Sequence, residues 1–572
     1  MFYQNSQTKA VSEISYSKGP SDMILSDQTK GQYFDHIVDK YPDQPALISC
    51  HQDIRWTYRE FQNKTNRLAI GLLALGIEPG DRVGIWSPNC AEWYLTQIAT
   101  AKIGAIMVCV NPAYQTYELE YALNKVECKV IVTADRFKKS GYLQMLNELA
   151  PELARCEPGQ LMAQKLPHLT TVIRLGEEAS PGMFNFDSVC ALGGDTENKQ
   201  LEYLKAALSC KDPINIQFTS GTTGSPKGAT LSHHNILNNA RVCANGMRLT
   251  ENDKLCIPVP LYHCFGMVLG SLSCIANGAC AVFPGPSFNP EETLAVLEKE
   301  GCTGLHGVPT MFIAQLEHPR FGDFDLSSLR TGIMAGSTCP AEVMRRVQSD
   351  MSMVEVLIGY GQTECSPLNH LTSPDDPLVK RVETVGRAVE HMEVKIIDDR
   401  GAIVPVGQKG EICARGYAVM HGYWNDQVKT AETIDAECWL HSGDIGIMDN
   451  EGYTQVVGRI KDMIIRGGEN IYPREVEEFL YTHPKIKEVQ VFGMSDQKYG
   501  EQVCAWVQPL EHQTLTPDEV RAFCKGKIAH FKIPQYVDIV NQFPMTVTGK
   551  IQKFKMREVM IERLGSEDSL MV

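Results

Sequence analysis

A run of glycines, hydroxyl side chains and one lysine is the stretch of this sequence best suited to chemistry. It consists of Thr219, Ser220, Gly221, Thr222, Thr223, Gly224, Ser225, Pro226, Lys227 and Gly228. Glycines let consecutive backbone N–H groups converge on an anion, hydroxyls donate further hydrogen bonds, and a lysine adds a compact positive charge. The stretch therefore predicts a phosphate-binding loop.

The same composition is common in polar surface turns, so the flanking residues matter. Ile214, Ile216 and Phe218 alternate with polar residues before the loop, and an extended pattern resumes at Ala229. We therefore expect the loop to join two strands. A Walker loop would need Gly-x-x-x-x-Gly-Lys-Ser/Thr opening into a helix, and this stretch lacks that spacing.

Further polar segments follow two predicted strands. A strand over 330–335 is followed by Gly336, and a strand over 354–358 is followed by Tyr360, Gln362, Thr363 and Glu364. Sheets of α/β proteins bind ligands at such strand ends. A ligand site is one interpretation of these segments, and a solvated surface carboxylate is the competing interpretation of Glu364.

Five single residues elsewhere are weaker candidates. Each also has an ordinary structural interpretation: His263 as a histidine at a strand end, Asp444 as a turn aspartate, Arg459 as a surface arginine, Lys461 as a linker lysine and Lys550 as a turn lysine. Their residue types alone do not separate these interpretations from a functional role.

The loop 219–228 resembles, nearly residue for residue, the signature of the adenylate-forming superfamily. This superfamily includes acyl-CoA synthetases, luciferases and the adenylation domains of peptide synthetases. The resemblance covers nearly the whole chain beyond residue 30 and is closest to the medium-chain fatty acyl-CoA ligases, through residues 212–218, 462–473 and 550–555. Gln362 departs from many relatives, which puts one contact to the edge of the nucleobase in doubt.

The resemblance implies that ATP is held by residues spread along the chain. Tyr360 would lie against the adenine, Thr363 would contact the α-phosphate, and Glu364 would bind Mg²⁺. Asp444 would accept both ribose hydroxyls, and Arg459 would add a second contact. The predicted nucleotide site is completed by the loop residues 219–227 and Gly336.

The acyl group is implied to bind after the strand predicted over 257–263. The segment around His263 resembles a family motif whose aromatic side chain lines or gates the acyl tunnel next to the α-phosphate. Phe265, Met267 and Val268 suit the wall of such a tunnel, although core packing explains these apolar residues equally well.

The resemblance also implies movement between two half-reactions. Lys550 is similar to the catalytic lysine of adenylation, and Lys461 aligns with the hinge position. Gly467 and Gly468 would approach the pantetheine arm of coenzyme A, because paired glycines allow close backbone contact.

Alternating strand and helix patterns in the first part of the chain favour layered α/β construction. Thr57 and Glu60 match a capping box at the start of a long helix. Residues 142–212 are less regular and are expected to form a surface insertion. Residues 266–283 are apolar but interrupted by serines, an asparagine and glycines, so they are expected to be core rather than a membrane span.

We therefore expect a large layered α/β N-terminal domain with several sheets and a small, mobile α+β C-terminal domain. The predicted boundaries are an N-terminal arm over 1–30, a domain binding AMP and the acyl group over 31–460, and a lid domain with the catalytic lysine over 461–572. Two domains with a short connection imply a cleft and a rotation.

Composition restricts the class of protein. A net charge of −15 argues against a nucleic-acid surface. The 19 cysteines are scattered, odd in number and without a Cys-x-x-Cys pair, which favours a reducing compartment and buried thiols. No transmembrane segment, secretory signal or arginine-rich transit peptide is recognised, so the cytoplasm is expected, with the mitochondrial matrix as the alternative. The sequence does not predict the oligomeric state.

The predicted activity is ATP-dependent ligation of a fatty acid, of medium chain length by the resemblance, to coenzyme A. The carboxylate and ATP would give acyl-AMP and pyrophosphate, and the thiol of coenzyme A would then displace AMP, with Mg²⁺ as cofactor. A peptide-synthetase domain is disfavoured, because no aspartate accompanies His263 to hold an amino group. A luciferase-like oxygenase and a non-catalytic ATP-binding protein are the two competing functions that the sequence leaves open.

Overall fold

The chain folds into several β-sheets with helices packed on them, as a computed structural model describes for residues 13–219, 226–336, 339–467, 469–496, 498–546 and 551–568. Contacts divide the chain into two units. The larger unit comprises residues 18–393 and 414–440, and the smaller unit comprises residues 1–17, 394–413 and 441–572. The domain boundary at residue 461 stays a prediction.

The first sheet of the larger unit has eight strands. Its inner strands are parallel, and an antiparallel hairpin and an edge strand complete it. In spatial order the strands are Phe184–Asn185, Thr171–Arg174, Val130–Thr133, Arg82–Trp86, Ile106–Cys109, Pro213–Thr219, Lys227–Ser232 and Gly422–Tyr423.

The second sheet of the larger unit has nine strands and is parallel through its centre. In spatial order the strands are Arg387–Ala388, His370–Leu371, Glu355–Tyr360, Thr331–Met334, Gly304–Leu305, Lys254–Cys256, Cys280–Phe283, Pro45–Ser49 and Ile54–Thr57. A separate two-stranded ribbon consists of Arg136–Phe137 and Ser140–Gly141.

Helices join the two sheets through one large hydrophobic core. This core includes Met107 of the first sheet, Leu255 of the second, and residues of the helices Tyr58–Ala74 and Ala91–Ile103. The remaining helices of the unit are Lys30–Lys40, Thr116–Lys125, Tyr142–Leu149, Phe186–Cys190, Asp195–Ala207, His233–Gly246, the π-helical Phe265–Leu272, Ser273–Asn277, Pro290–Glu300, Pro309–Leu316, Ala341–Asp350, Leu378–Glu383 and Gln427–Thr433.

Two of the predicted helical and core features are confirmed. The side chain of Thr57 accepts the N–H of Glu60, and the Glu60 carboxylate accepts the N–H of Thr57, which is the predicted capping box. The apolar stretch after residue 265 is a buried helical segment, as expected for core. In both cases local sequence chemistry was sufficient to predict the structure.

Residues 142–212 are not a surface insertion, which corrects the expectation. Thr171–Arg174 pairs with Val130–Thr133 in the eight-stranded sheet, and Val172 and Ile173 are fully buried. The strand is only four residues long, so it carries little periodicity against the many turns around it.

The strand predicted over 257–263 is also wrong, because the strand ends at Cys256. Proline lacks a backbone N–H, and two prolines follow the strand at positions 258 and 260. Asn89 holds this segment instead: its Nδ2 donates to the Val259 carbonyl at 3.0 Å, and its Oδ1 accepts the Leu261 N–H at 2.8 Å.

The smaller unit contains most of one five-stranded sheet, with the order Tyr16–Lys18, Met392–Ile397, Lys409–Gly416, Leu440–Met448 and Thr454–Arg459. A second sheet has the order Glu469–Ile471, Ile464–Arg466, Gly500–Pro509 and Ile486–Asp496, and Tyr536–Ile539 pairs with Gly500–Pro509. The helices are Pro473–Tyr481, Pro517–Cys524 and Lys553–Asp568. This second sheet with its helices is the predicted small α+β pattern.

All nineteen cysteines are free thiols, and most are buried, as the sequence predicted. Among the described helices, none combines the length and apolarity that crossing a bilayer requires.

Candidate active site

The predicted phosphate loop closes a β-hairpin. The strands Pro213–Thr219 and Lys227–Ser232 are antiparallel, with Thr219 opposite Lys227. The Thr219 hydroxyl donates to the Lys227 carbonyl at 3.4 Å. The predicted strand–loop–strand arrangement is therefore confirmed, and Pro226 is the remaining described residue of the loop. Six predicted members lie outside the described residues: Ser220, Gly221, Thr222, Thr223, Gly224 and Ser225.

Lys227 and Glu364 meet through Tyr423. The Lys227 ammonium donates to the Tyr423 oxygen at 3.0 Å and lies 4.2 Å from the centroid of its ring. The Tyr423 hydroxyl donates to Oε1 of Glu364 at 2.7 Å, and Glu364 is 8% exposed. Burial and the neighbouring carboxylate raise the pKa of Tyr423 well above its usual value, so the phenol keeps the proton that it donates.

A tight turn fixes the Glu364 backbone. The Cys365 N–H donates to the Gln362 carbonyl at 2.7 Å, and the Met420 N–H donates to the Glu364 carbonyl at 2.9 Å. Gly361 has φ +158°, and a Cβ there would lie 1.9 Å from the Pro367 carbonyl oxygen. The turn that presents Glu364 therefore requires glycine at position 361.

Tyr360 and Gly336 lie at one edge of the nine-stranded sheet. Thr331–Met334 and Glu355–Tyr360 are parallel neighbours, so both residues come at or just after the carboxyl ends of adjacent strands. Gly336 is exposed with φ +90°, and the half-buried Tyr360 packs edge-on against His370 at 5.5 Å. Burial lowers the pKa of His370 to about 3, which leaves a neutral ring behind the tyrosine.

The bend around His263 brings Cys264 to Thr363. His263 is exposed, and its Nδ1 accepts the Phe265 N–H at 3.2 Å. The buried Cys264 thiol contacts the Thr363 side chain, and burial raises the pKa of this thiol well above its usual value. The predicted acyl segment thus lies beside the residue predicted to contact the α-phosphate.

Asp444 and Arg459, both in the smaller unit, form a cross-strand pair. They stand opposite each other in the register of adjacent strands, and Arg459 Nε donates to Asp444 Oδ1 at 3.0 Å. Asp444 is 4% exposed, whereas the Arg459 side chain is 46% exposed. A carboxylate can accept hydrogen bonds from two hydroxyl groups, which is the role predicted for Asp444 at the ribose.

Glu411 supports the turn that precedes Asp444. Its Oε1 accepts the Gly443 N–H at 2.9 Å, and its Oε2 lies 2.9 Å from Nδ1 of His441. The Asp444 N–H donates to the Ser442 hydroxyl at 3.0 Å. Glu411 therefore orients the predicted ribose-binding residue without being part of the predicted set.

The predicted hinge and coenzyme A residues follow directly along the chain. Lys461 is exposed in the short 3₁₀ turn Ile460–Asp462. Gly467 has φ +60° and is exposed, and its N–H donates to the Tyr499 carbonyl at 2.8 Å. Gly468 lies outside the described residues. The backbone of Gly467 is therefore exposed, which suits the close approach predicted for the pantetheine arm of coenzyme A.

Lys550 also lies outside the described residues, but the two ends of its loop are described. Met545 and Ile551 form an antiparallel bridge, and the Gln552 N–H donates to the Pro544 carbonyl at 2.8 Å. The loop of the predicted catalytic lysine is therefore closed by paired backbone on both sides.

Sequence reasoning missed Tyr423 and Glu411. Tyr423 sits in a two-residue edge strand paired with Lys227–Ser232, nearly 200 positions along the chain from Lys227. The short stretch around Tyr423 gives no sequence signal of a contact with Lys227. Glu411 is one of two charged residues at the start of a strand, and charged residues at such positions are typically solvated.

Comparison with known proteins identifies the family. The AMP-binding enzyme family matches residues 34–424, and the AMP-binding enzyme C-terminal domain matches residues 475–550. The Bacillus subtilis protein YngI is 47% identical over 547 residues, which are 95% of this chain and 99% of the relative. The mitochondrial medium-chain acyl-CoA ligase ACSF2 of Homo sapiens is 44% identical over 558 residues, which are 96% of this chain and 91% of the relative.

Solved structures agree with that family. The anthranilate CoA ligase AuaEII in complex with anthranoyl-AMP has a TM-score of 0.83 at 26% identity and is matched over 95% of this chain and 99% of its own. ATP-bound MatB from Rhodopseudomonas palustris has a TM-score of 0.79 at 28% identity and is matched over 92% of this chain and 98% of its own. The chain therefore belongs to the AMP-binding enzyme family, as an acyl-CoA synthetase of the adenylate-forming superfamily.

Proposed function

We propose that this enzyme joins medium-chain fatty acids to coenzyme A in two steps through an acyl adenylate. The observation that carries the proposal is the hydrogen bond from Tyr423 to the buried Glu364, beside Lys227 at the base of the phosphate loop. This arrangement places the fixed carboxylate of Glu364 and the cation of Lys227 on the same tyrosine, next to the loop between two strands. Medium chain length is supported by the ACSF2 relatives, which are named medium-chain acyl-CoA ligases.

In the first step a carboxylate oxygen attacks the α-phosphorus of ATP. The bond from this phosphorus to the β-phosphate oxygen breaks, which gives acyl-AMP and pyrophosphate. Both reactants are anions, so the site must supply positive charge and hydrogen-bond donors where charge develops. Lys227 holds the leaving pyrophosphate, Thr363 donates to the α-phosphate, and Lys550 contacts the carboxylate and the α-phosphate oxygens.

Mg²⁺ fits the residues around Glu364. This ion binds through one or two carboxylates together with phosphate oxygens. Glu364 is a buried carboxylate, and the Tyr423 hydroxyl fixes one of its oxygens at 2.7 Å and so orients the group. When bound, the ion neutralises charge on the triphosphate.

In the second step the thiol sulfur of coenzyme A attacks the acyl carbon, AMP leaves, and the thiol proton passes to solvent. The Lys550 loop must first withdraw to admit the thiol. Lys461 provides the pivot for that rotation, and Gly467 and Gly468 receive the pantetheine arm. Asp444 and Arg459 hold the ribose through both steps.

The test is AMP release that depends on ATP and coenzyme A, measured with straight-chain acids. Chain lengths from about four to about sixteen carbons are informative, because each buried methylene is worth about 0.8 kcal/mol, or about fourfold in affinity. We expect a maximum at medium length, with aromatic acids and amino acids as controls.

Three different results would contradict the proposal. Pyrophosphate exchange without a thioester for any acid would point to a different acceptor. Light emission with oxygen would identify a luciferase-like oxygenase, and absence of exchange with every acid would favour a non-catalytic ATP-binding protein.

We propose a reducing compartment, on the support of nineteen free thiols. The cytoplasm is the first expectation and the mitochondrial matrix is the alternative, the latter favoured by the word mitochondrial in the names of the ACSF2 relatives. Imaging of the full chain in its own cell, with a matrix marker, separates the two.

A further inference from the structure

Three side chains with different donor atoms meet on one face of the five-stranded sheet. Glu411 and Cys413 are two positions apart on the strand Lys409–Gly416, so their side chains face the same side of the sheet. His441 lies on the adjacent strand Leu440–Met448. A carboxylate, a thiol and an imidazole are therefore brought together by strand pairing.

The distances between the donor atoms of these three residues are short. Nδ1 of His441 lies 2.9 Å from Oε2 of Glu411 and 3.6 Å from the sulfur of Cys413. One ligand atom from each of the three residues lies within 4.8 Å of the other two. The three residues are close enough for one ion to contact them all.

These distances approach those of a tetrahedral zinc site. With a Zn–S bond of about 2.3 Å and a Zn–N bond of about 2.0 Å, a tetrahedral ion holds its sulfur and nitrogen ligands about 3.5 Å apart. The observed distance from Cys413 to His441 is 3.6 Å. The nitrogen and oxygen ligands of such an ion lie about 3.3 Å apart, so Glu411 and His441 have to separate by about 0.4 Å from their present 2.9 Å. A small rotation of either half-buried side chain is enough for that change.

The combination of donor atoms selects the class of metal. Thiolate sulfur favours soft or borderline ions and imidazole suits zinc and its first-row neighbours, whereas Mg²⁺ and Ca²⁺ take oxygen ligands. Cys413 is fully buried, but the side chains of Glu411 and His441 are 19% and 31% exposed, so an ion can reach them from solvent. The group therefore suits a zinc-like divalent ion and differs in chemistry from the Mg²⁺ site proposed at Glu364.

The hydrogen bonds around Glu411 orient it for this role. Its Oε1 accepts the Gly443 N–H at 2.9 Å, and carboxylates that bind metals are normally held by such bonds. Gly443 stands directly before Asp444, whose N–H donates to the Ser442 hydroxyl at 3.0 Å. An ion on Oε2 of Glu411 would thus fix the same turn that Oε1 already supports.

A second group of metal-binding residue types provides a comparison. Asp27, Cys210 and His234 also have ligand atoms within 4.8 Å of one another. The Asp27 side chain, however, is 86% exposed, and its Oδ1 is 3.8 Å from Nδ1 of His234. Ordering an exposed side chain costs conformational entropy, so this group is the weaker candidate and serves as the control.

We propose that Glu411, Cys413 and His441 bind one zinc-like divalent ion, which links two strands of the sheet and fixes the turn before Asp444. On binding, the Cys413 thiol loses its proton to solvent, and the Nδ1 proton of His441 is replaced by one on Nε2. Water occupies the fourth position of the ion. None of the three ligands is assigned to the ligase reaction, so the inference does not depend on the proposed substrate.

The experiment titrates the full chain, freed of metal with a chelator and kept reduced, with Co²⁺ as a spectroscopic substitute for Zn²⁺. We expect thiolate-to-cobalt charge-transfer absorption that saturates at one ion per chain and disappears when Zn²⁺ is added. Cys413→Ser should lose this absorption. Cys210→Ser and Cys438→Ser should keep it, because they remove the thiol of the comparison group and an exposed thiol.

Should Cys413→Ser fail to fold, His441→Gln removes the ring nitrogen, keeps a side-chain donor for Glu411 and should also lose the absorption. Amide hydrogen exchange at Gly443 is the second measurement, because its N–H donates to Glu411. Zn²⁺ should slow this exchange in the unmodified chain and leave it unchanged in Cys413→Ser.

Three results would overturn the inference. They are absence of the charge-transfer absorption, its persistence in either folded variant, and exchange at Gly443 that Zn²⁺ does not slow. Loss of the absorption in Cys210→Ser alone would place the ion at the comparison group and would overturn it as well. Each result would leave Glu411, Cys413 and His441 as a hydrogen-bonded group that supports the turn.

Discussion

The hydroxyl of Tyr423 donates a 2.7 Å hydrogen bond to Oε1 of Glu364, from an edge strand of one sheet to a turn after a strand of the other. The same hydroxyl oxygen accepts a hydrogen bond from the Lys227 ammonium at 3.0 Å. A single phenol therefore fixes both the predicted Mg²⁺ ligand and the lysine of the phosphate loop.

Tyr423→Phe should lower the rate of adenylation. The change deletes one hydroxyl and keeps the ring under Lys227, so Glu364 loses an orienting donor. We expect kcat/KM for ATP–pyrophosphate exchange to fall by about 10- to 100-fold, the range for a hydrogen bond to a charged group. Tyr33→Phe is the control, because it removes a hydroxyl that donates to the Ala276 carbonyl at 3.0 Å. An unchanged exchange rate in Tyr423→Phe would show that this contact has no catalytic role.

Lys550→Ala should affect only the first half-reaction. We expect adenylation to slow by roughly 10²–10³, the usual scale for losing one preorganised donor, because this lysine is assigned to the attacking carboxylate and the α-phosphate. Conversion of supplied acyl-AMP with coenzyme A should be largely unchanged. Lys555→Ala, at an exposed position in the helix that follows, is the matched control. Equal slowing of both half-reactions would contradict the assigned role.

Lys461→Pro should slow thioester formation and leave adenylation nearly unchanged, which is the opposite of the effect expected for Lys550→Ala. The turn Ile460–Asp462 is closed by the Met463 N–H onto the Arg459 carbonyl, so proline at 461 does not remove that bond but does restrict rotation. We expect near-normal pyrophosphate exchange and strongly reduced thioester formation. Lys461→Ala, which removes the charge and keeps the backbone free, separates loss of rotation from loss of the side chain. Normal thioester formation in the proline variant would reject the hinge.

Lys30→Met should stabilise the protein, and the gain should depend on pH. Lys30 is 1% exposed, and its ammonium has no hydrogen-bond partner among the described residues. Burial lowers the pKa of Lys30 to about 7, against about 10.4 for an exposed lysine. Between these values the unfolded chain binds a proton that the folded chain does not, so stability rises with pH. The buried lysine therefore lowers the free energy of unfolding by its full amount below about pH 7, and this loss disappears toward pH 10.

We expect the variant to gain about 2–4 kcal/mol in the free energy of unfolding near pH 6 and less than about 1 kcal/mol near pH 10. Urea unfolding at the two pH values measures this difference. Lys102→Met should instead be destabilised, because its ammonium is paired with Asp35. The same gain at both pH values would show that Lys30 is not a buried titrating group.

Local patterns predicted much of the fold. The capping box at Thr57 and Glu60 and the hairpin around residues 219–227 depend on neighbours within a few positions, and both are present. The wrong strand over 257–263 overlooked a local signal, the prolines at positions 258 and 260, whereas the error over residues 142–212 arose where the signal was not local. The strand Thr171–Arg174 is recognised only by the sheet it joins.

The sequence by itself determined the chemistry available to this protein: a glycine-rich anion loop, polar strand ends, and a lysine loop in a small second domain. These features depend on residue type and spacing, which a chain carries before it folds. Only the tertiary structure decided which distant residues meet. The contact of Tyr423 with Glu364 and Lys227 and the support of Asp444 by Glu411 depend on the pairing of strands and turns that are far apart in the chain.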